Sequence, residues 1–294
     1  MRPSLYFSPY SKHTVDILVD WHKATCQPLG LICSTGQVNV DGGYTGFTQE
    51  SLREYVGPDA YIGRDHLGKS EDLAKATKML NDDIGHFNYA HIQLEDLRDV
   101  GAIMSQFNGC IRWEIGPGEC EMKHWDPFDY CEAVLSECKP ADVFGFAFPT
   151  GCKIDETHNL ERINASLIEE FKGLGYPLKG HNSDYCSEAT LHRLAEFGID
   201  SLNVAPQLGV IMTRAYCDYA RVFGYDLSEW EDIVMRGGEW QRWGRERYAV
   251  ELGGQYHFNE LPDGYTERAN VFVSMSVNAM LCYYHRNFTE RKPL

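Results

Sequence analysis

Short runs of consecutive apolar residues alternate along this chain with longer stretches in which apolar residues recur every three or four positions. A near-continuous apolar run is typical of a parallel strand buried on both faces, and the longer spacing predicts an amphipathic helix. The predicted strands are Ser4–Phe7, Leu29–Ser34, Ala60–Gly63, Tyr89–Leu94, Cys110–Ile115, Val143–Phe148, Pro177–Gly180 and Ser201–Val204. Eight strands with helices between them predict an α/β fold, a closed (β/α)8 TIM barrel. The alternative is a doubly wound open sheet, but no Gly-x-Gly-x-x-Gly segment follows an early strand.

Apolar stripes between the strands predict several helices. One helix is predicted after Asp155, and its stripe consists of Leu160, Ile163, Leu167 and Phe171. Two further helices are predicted at Glu188–Phe197 and Leu208–Phe223.

The pattern changes beyond Phe223. We expect a single domain over residues 1–294, with a barrel core at about 1–224 and a C-terminal extension at 225–294. In the extension, Glu251–Phe258 predicts an extra strand or a loop, and Thr266–Asn287 predicts a final helix. One face of that helix carries Val271, Met275, Asn278 and Cys282. We interpret the extension as an elaboration that covers one end of the barrel.

The charge of the chain argues against two classes of partner. Its 294 residues include 43 acidic and 27 basic side chains, which gives a formal net charge of −16 at pH 7. Such a surface repels nucleic-acid phosphates and anionic lipids, so neither nucleic acid nor a membrane surface is an expected partner. The N-terminal segment lacks the apolar stretch of a signal peptide, and no run reaches transmembrane length. We therefore expect a cytoplasmic protein whose ten cysteines are thiols.

Polar residues of the types that bind metals and sugars gather where the predicted strands end. In a barrel these ends lie together around the mouth at which chemistry takes place. The residues are Gln37, Asn39 and Tyr44 after the second strand, Asp65 and His66 after the third, His91 in the fourth, Glu114 and Glu119 in or after the fifth, His181, Asn182 and Asp184 after the seventh, and Asn203 in the eighth. Imidazoles and carboxylates from different strands predict a divalent metal ion, Zn²⁺ or Mn²⁺, that polarises a substrate carbonyl. A carboxylate beside a liganding histidine can then move a hydroxyl proton.

Two of these features keep alternative interpretations. His91 lies inside an apolar strand, so a buried core histidine explains its position as well as a site residue does. The glycine-rich loop Gly42–Gly46 is either a phosphate cradle or an ordinary turn.

Four strand-end segments resemble those of the accessory subunits of tagatose-bisphosphate aldolase, within the class II aldolase superfamily. The segments are Gln37–Asn39 with Gly42–Gly46, then Gly63–Gly68, then His181–Tyr185, and finally Leu202–Leu208 followed by Arg214. They occur in the same order as in that family. The resemblance implies a metal-dependent (β/α)8 barrel that acts on ketose phosphates, and some relatives are similar to epimerases of sugar acids.

The resemblance also implies roles for individual residues. Asp65 corresponds to an acid/base carboxylate, His66 and His181 to metal ligands, and Glu114 or Glu119 to a residue of metal binding or proton transfer. The segment after the sixth strand contains Cys152 where the aldolases carry a liganding histidine, so a further ligand is Glu114, His91, Cys152 or Asp184. The expected set is therefore Asp65 and Glu119 for catalysis, His66, Glu114, His181 and Asp184 for the metal, and Gln37, Asn39, Tyr44, His91, Asn182, Asn203 and Arg214 for the substrate.

Three functions are compatible with this pattern. The first is a metal-dependent enzyme that cleaves or epimerises a ketose or related sugar, phosphorylated or not, with Zn²⁺ expected and Mn²⁺ as the alternative. The second is a non-catalytic accessory subunit that stabilises a separate aldolase chain, and the third is a sugar-binding barrel without catalysis. We favour the enzyme, because an accessory subunit has no need of an acid/base carboxylate beside metal-ready histidines. The expected macromolecular partner is a second copy of the chain or an aldolase catalytic subunit.

Overall fold

Eight parallel strands close into a barrel in the computed structural model, which describes residues 2–67, 73–94, 96–116, 125–140, 142–150, 153–155, 158–242 and 246–292. The barrel strands are β1 (Leu5–Phe7), β2 (Gly30–Cys33), β3 (Tyr61–Leu67), β4 (Tyr89–Ile92), β5 (Arg112–Ile115), β6 (Val143–Pro149), β9 (Leu178–His181) and β10 (Ser201–Val204). A separate antiparallel hairpin consists of β7 (Lys153–Asp155) and β8 (His158–Leu160). The order around the barrel is β1, β10, β9, β6, β5, β4, β3 and β2, and β2 pairs again with β1. All eight predicted barrel strands, and with them the (β/α)8 fold, are confirmed.

Helices follow the barrel strands in the described part of the chain. They are α1 (Lys12–Thr25), α2 (Gln49–Val56), α3 (Leu73–Asp83), α4 (Leu97–Gln106), α5 (Pro127–Ala133), α6 (Ala165–Gly173), α7 (Glu188–Glu196), α8 (Pro206–Phe223), α9 (Ser228–Gly237), α10 (Ala249–Gly253) and α11 (Tyr265–Asn287). Side-chain oxygens accept hydrogen bonds from free backbone amides at several helix starts, which stabilises these ends. The capping residues are Ser11, Thr48, Asp96, Asp126, Asn164 and Ser187.

Strand β3 continues beyond its predicted end at Gly63 as far as Leu67. Its register against β4 shifts between Arg64 and Leu67, and His66 has a φ angle of 55°. A left-handed residue within a register shift marks a bulge, and a bulge changes the direction in which side chains point. The bulge therefore lets two consecutive residues, Asp65 and His66, contribute to the barrel mouth.

A buried ion pair ties β3 to the helix that follows it. Arg64 Nε lies 2.8 Å from Asp83 Oδ2, and Arg64 Nη2 lies 2.6 Å from Asp83 Oδ1. Arg64 Nη1 also donates to the carbonyl oxygens of Cys33 and Val38, at 3.1 and 3.0 Å. Both charged side chains are fully buried, so Arg64 joins β2, β3 and the end of α3 from inside the protein.

The segment after β6 differs from the prediction. The predicted helix was to begin after Asp155, but Leu160 lies in strand β8, is 39% exposed, and α6 begins only at Ala165. Two asparagine side chains explain why the helix starts later than predicted. Asn164 caps α6 at its start. Asn159 Nδ2 donates to two carbonyl oxygens of the loop after β9 and so holds the hairpin against that loop.

The C-terminal extension packs α11 along α8 and reaches the barrel mouth. Asn259 Nδ2 donates to the carbonyl oxygen of Tyr44 (2.9 Å), and the ring of Tyr256 lies edge-on to that of Tyr44. Helix α10 and two 3₁₀ turns at Gly254–Tyr256 and Phe258–Glu260 occupy most of residues 251–258, so the predicted extra strand is wrong there.

The predicted final helix is confirmed, but the apolar face named in the sequence analysis is not the face that packs against the protein. The face that carries Val271 and Met275 is exposed, whereas Val273, Val277 and Leu281 are buried. No helix in the described part of the chain is long and apolar enough to span a membrane.

Candidate metal centre

Three histidines from three strands meet at the carboxyl end of the barrel. They are His66 from β3, His91 from β4 and His181 from the end of β9. The ring centroids lie 5.6 Å apart for His66 and His91, 6.0 Å for His66 and His181, and 5.1 Å for His91 and His181. These distances agree with the prediction that the ends of parallel strands bring the three residues together.

Asp65 lies between two of the histidines. Its Oδ2 atom is 3.2 Å from His66 Nε2, and its Oδ1 atom is 3.3 Å from His91 Nδ1. Burial on its own raises the pKa of the Asp65 carboxyl. The charge of His66 and the hydrogen bond from His91 outweigh burial and hold this pKa well below its ordinary value. Asp65 is therefore a carboxylate at neutral pH.

His66 and His91 each have a second partner on the nitrogen that faces away from Asp65. His66 Nδ1 donates to Gln93 Oε1 at 2.8 Å, and His91 Nε2 donates to the carbonyl oxygen of Gly116 at 2.7 Å. A liganding histidine typically donates its other ring N–H to an oxygen in this way, which fixes the tautomer and the ring orientation. The nitrogens that face Asp65 would be the ones to bind a metal ion, once they have lost the protons that they share with Asp65.

His181 is buried at the same end of the barrel. Burial, followed by the nearby His91, lowers the pKa of His181 well below its ordinary value, so this imidazole is neutral. Asn203 Nδ2 donates to His181 Nε2 at 2.9 Å, and the buried Asn203 Oδ1 has no hydrogen-bond partner among the described residues. Asn203, expected to bind substrate, therefore touches a candidate ligand.

Glu114 is in register with His91 on the neighbouring strand, and it faces a lysine that the sequence analysis did not single out. Glu114 Oε1 is 2.6 Å from Lys179 Nζ, and both side chains are buried. Lys179 and His181 are two residues apart on β9, so they point to the same side of the strand, into the barrel. A lysine within a buried strand is rare unless it is paired, and this was the available signal.

The cluster offers two overlapping sets of metal ligands among the described residues. In each of the two sets the ligand atoms all lie within 4.8 Å of one another, and the sets are Asp65, His66 and His91, and His91, Glu114 and His181. His91 belongs to both sets, which favours a site residue over an isolated core histidine. Imidazole nitrogens with carboxylate oxygens are a donor set that fits Zn²⁺ or Mn²⁺.

Asp184, expected as a metal ligand, lies outside both sets. Its Oδ1 atom accepts hydrogen bonds from the backbone amides of Ala205 and Gln207, each at 2.8 Å, at the start of α8. A carboxylate at a helix start is stabilised by the free amides and by the helix dipole. We therefore assign Asp184 to the support of α8 rather than to the metal.

Arg214, expected to bind substrate, lies on α8. Its Nε atom is 3.7 Å from Glu251 Oε1, and the side chain lines a groove of about 390 Å³ between α8 and α11. The lining of that groove includes none of the three histidines. The structure thus gives no support to a role for Arg214 at the cluster.

Two other expected substrate residues hold the loop after β2. Gln37 Oε1 accepts from the amide of Ser34 and Gln37 Nε2 donates to the carbonyl oxygen of Pro9, each at 2.8 Å. Asn39 Oδ1 accepts from the amides of Asp41 and Gly43, at 2.9 and 3.2 Å. Both side chains are therefore engaged by their own loop and its surroundings.

In the glycine-rich part of this loop, backbone amides donate hydrogen bonds to acceptors of the loop itself. The amide of Gly42 donates to the carbonyl oxygen of Asn39, that of Gly43 to the Asn39 side chain, and that of Tyr44 to the carbonyl oxygen of Gly36. A phosphate cradle needs backbone amides that point at the anion. The loop Gly42–Gly46 is thus better explained as an ordinary turn.

Replacement of Gly43 by alanine should destabilise the protein more than the same change at Gly46. Gly43 has a φ angle of 55°, and an added Cβ would lie 2.4 Å from the carbonyl oxygen of Gln37. At Gly46, with a φ angle of 78°, nothing lies within 4 Å of such a Cβ. We expect losses of about 3 kcal/mol for Gly43→Ala and about 1 kcal/mol for Gly46→Ala in urea unfolding. Equal losses would show that the contact with Gln37 does not matter.

Tyr44 contributes its ring to the surroundings of the barrel mouth, whereas Asn182 is held through its backbone. The ring of Tyr44 stacks on that of Tyr10 with centroids 6.3 Å apart, so Tyr44 forms part of an aromatic wall with Tyr10 and Tyr256. Asn182 has a φ angle of 56°, and its carbonyl oxygen accepts a hydrogen bond from Asn159. Glu119, expected to be catalytic, and Cys152, an alternative ligand, lie outside the described residues.

Solved structures of other proteins share the fold of this barrel. A probable tagatose 6 phosphate kinase from Sinorhizobium meliloti 1021 matches with a TM-score of 0.74 and 18% identity, over 97% of this chain and 100% of that one. The YdjI aldolase from Escherichia coli K12 matches with a TM-score of 0.61 and 13% identity, over 97% of this chain and 91% of that one. Fructose-bisphosphate aldolase from Campylobacter jejuni matches with a TM-score of 0.61 and 10% identity, over 98% and 90%. No family model and no curated protein match the sequence.

Proposed function

We propose that this chain is a metal-dependent enzyme of the aldolase type, which breaks a carbon–carbon bond near the carbonyl group of a ketose or related sugar. The observation that carries the proposal is the position of Asp65, whose two carboxylate oxygens face His66 and His91 in a cluster completed by His181. The barrel shared with the YdjI aldolase and the fructose-bisphosphate aldolase supports it.

The metal ion would be held by His91, Glu114 and His181, whose donor atoms lie within 4.8 Å of one another and are buried. His66 would add a ligand from the overlapping set that shares His91. His66 and His91 are oriented by oxygen partners on their other nitrogen. This donor set fits Zn²⁺, with Mn²⁺ as the alternative. When bound, such an ion supplies Lewis-acid polarisation of a substrate carbonyl.

Asp65 is the residue that moves the proton. Its carboxylate is ionised and lies beside two histidines of the cluster, so it can accept the proton of a substrate hydroxyl. Loss of that proton allows the carbon–carbon bond to break, and Asp65 can later return the proton to a product. The histidines on both sides hold the carboxylate in place for this transfer.

The same residues serve two outcomes. Departure of the released carbonyl compound gives cleavage, whereas its rotation before re-addition gives epimerisation. The amides of the loop after β2 are used within the loop, so we propose that substrate recognition does not depend on a phosphate group bound there. Ketoses and sugar acids without phosphate therefore belong in a substrate screen beside ketose phosphates.

The metal content of the purified protein tests the proposal. We expect about one equivalent of a divalent transition metal by elemental analysis, and loss of most of it in the His66→Ala/His181→Ala variant, because two ligands are removed together. A matched control is His192→Ala, which removes a histidine of α7 that lies 3.8 Å from Glu188. The control should keep the wild-type metal content.

Two results would contradict the proposal. One is a wild-type protein that holds no metal and cannot be loaded with Zn²⁺ or Mn²⁺. The other is a double variant that retains the full metal content. The first result would favour the accessory-subunit hypothesis, and the next experiment would be a search for an aldolase chain that co-purifies with this one.

A further inference from the structure

Lys179 provides a positive charge inside the barrel, two residues before His181 on β9. Its Nζ atom is 2.6 Å from Glu114 Oε1 and 3.1 Å from the hydroxyl oxygen of Tyr89. The same atom lies 4.7 Å from the ring centroids of Tyr6 and Tyr89. Only 4% of the Lys179 side chain is exposed, so the ammonium group is stabilised by the protein rather than by water.

Glu114 is the link between Lys179 and the histidines. One of its oxygens faces Lys179, while Glu114 Oε2 is buried without a hydrogen-bond partner among the described residues. Glu114 also belongs to the ligand set with His91 and His181. The Glu114 carboxylate thus lies between the Lys179 ammonium group and the candidate metal site.

Because Lys179 and Glu114 are both buried, each charge needs a partner of opposite charge within the protein. Removing one partner of a buried ion pair leaves the other charge uncompensated, which strongly destabilises a protein. Two cations that share one buried carboxylate also repel each other, because the interior screens charge weakly. A metal ion next to Glu114 could therefore replace the compensation that Lys179 provides.

We propose that Lys179 is a positioning residue that shares Glu114 with the metal ion. In the metal-free protein Lys179 compensates the buried carboxylate and keeps the barrel end folded in a form ready for the ion. With an ion bound, Glu114 would serve as one of its ligands and remain the partner of Lys179. This inference rests on the proposed function, because it requires a metal ion at the cluster.

The test compares melting temperatures without metal, after dialysis against a chelator, and with excess Zn²⁺. Without metal, we expect Lys179→Met to lower the melting temperature by about 10 °C, because Glu114 loses its only charge partner shown among the described residues. Zn²⁺ should restore most of that loss, so the variant gains more from the metal than the wild type does.

Two further variants sharpen the comparison. Asp83→Asn breaks a different buried ion pair, with Arg64, and should lower the melting temperature at least as much, but gain from Zn²⁺ only what the wild type gains. Lys179→Met/Glu114→Gln removes both charges, so it should melt above Lys179→Met without metal and respond less to Zn²⁺ than the wild type.

The outcomes separate this inference from the proposed function. A wild-type protein that gains no stability from Zn²⁺ would overturn the metal site itself and this inference with it. A wild-type protein that responds normally, beside a Lys179→Met variant that gains no more than the wild type or stays unfolded with Zn²⁺, would overturn the role of Lys179 alone.

Discussion

The Asp65→Asn protein should fold and hold metal like the wild type, yet lose turnover by about 10²–10⁴-fold, the usual contribution of a positioned acid or base. Asparagine has nearly the same shape as aspartate but cannot accept the hydroxyl proton. The measurement is the rate of product formation by NMR, with the sugar that a screen identifies, alongside elemental analysis for metal.

The matched control is Asp41→Asn. Asp41 is an exposed aspartate of the loop after β2, and the same chemical change there should leave turnover within a factor of about two, since surface substitutions are usually near neutral. Full activity of Asp65→Asn would show that another group moves the proton. Loss of metal together with activity would show instead that Asp65 is mainly a ligand.

The largest expected effect on stability comes from Asp83→Asn. Arg64 and Asp83 are fully buried and joined by two hydrogen bonds of 2.8 and 2.6 Å, so the substitution leaves a buried guanidinium without a counter-charge. Breaking such a pair from one side costs about 3–5 kcal/mol. The measurement is the free energy of unfolding in urea.

A neighbouring aspartate of α3 is the control for this substitution. Asp82 lies 3.4 Å from Lys78 on the surface of the same helix, so Asp82→Asn should change the free energy by no more than about 0.5 kcal/mol. A loss below about 1 kcal/mol for Asp83→Asn would mean that the carbonyl oxygens of Cys33 and Val38 satisfy Arg64 on their own.

The sequence was sufficient for the barrel because its strands are buried on both faces and therefore consist of consecutive apolar residues. It was also sufficient to expect Asp65, His66 and His181 near one another, since parallel strands end at the same side of a barrel. The helix predicted after Asp155 is present as α6, but its start was placed too early. Helical spacing in a short segment does not exclude a hairpin held by a side chain such as Asn159.

The remaining expectations fell on residues whose polar atoms serve the backbone. Asp184 satisfies two amides of α8, and Gln37 holds an amide and a carbonyl group around the loop after β2. Strand ends collect such residues because loops and helix starts leave backbone groups without partners. Sequence alone does not separate these residues from ligands. Lys179 was overlooked because its partner, Glu114, lies far away in sequence, so nothing near Lys179 in the chain indicated a buried ion pair.

The pairing of β1 with β10 has a consequence for the way the protein reaches its native state. Leu5 is in register with Leu202, so the first strand keeps an unpaired edge during synthesis until the last barrel strand has left the ribosome. Contacts between residues so distant in sequence make folding slow, and an open strand edge in the meantime invites aggregation. Yields of this protein should therefore depend on growth temperature and on chaperone supply more than those of a helical protein of equal stability.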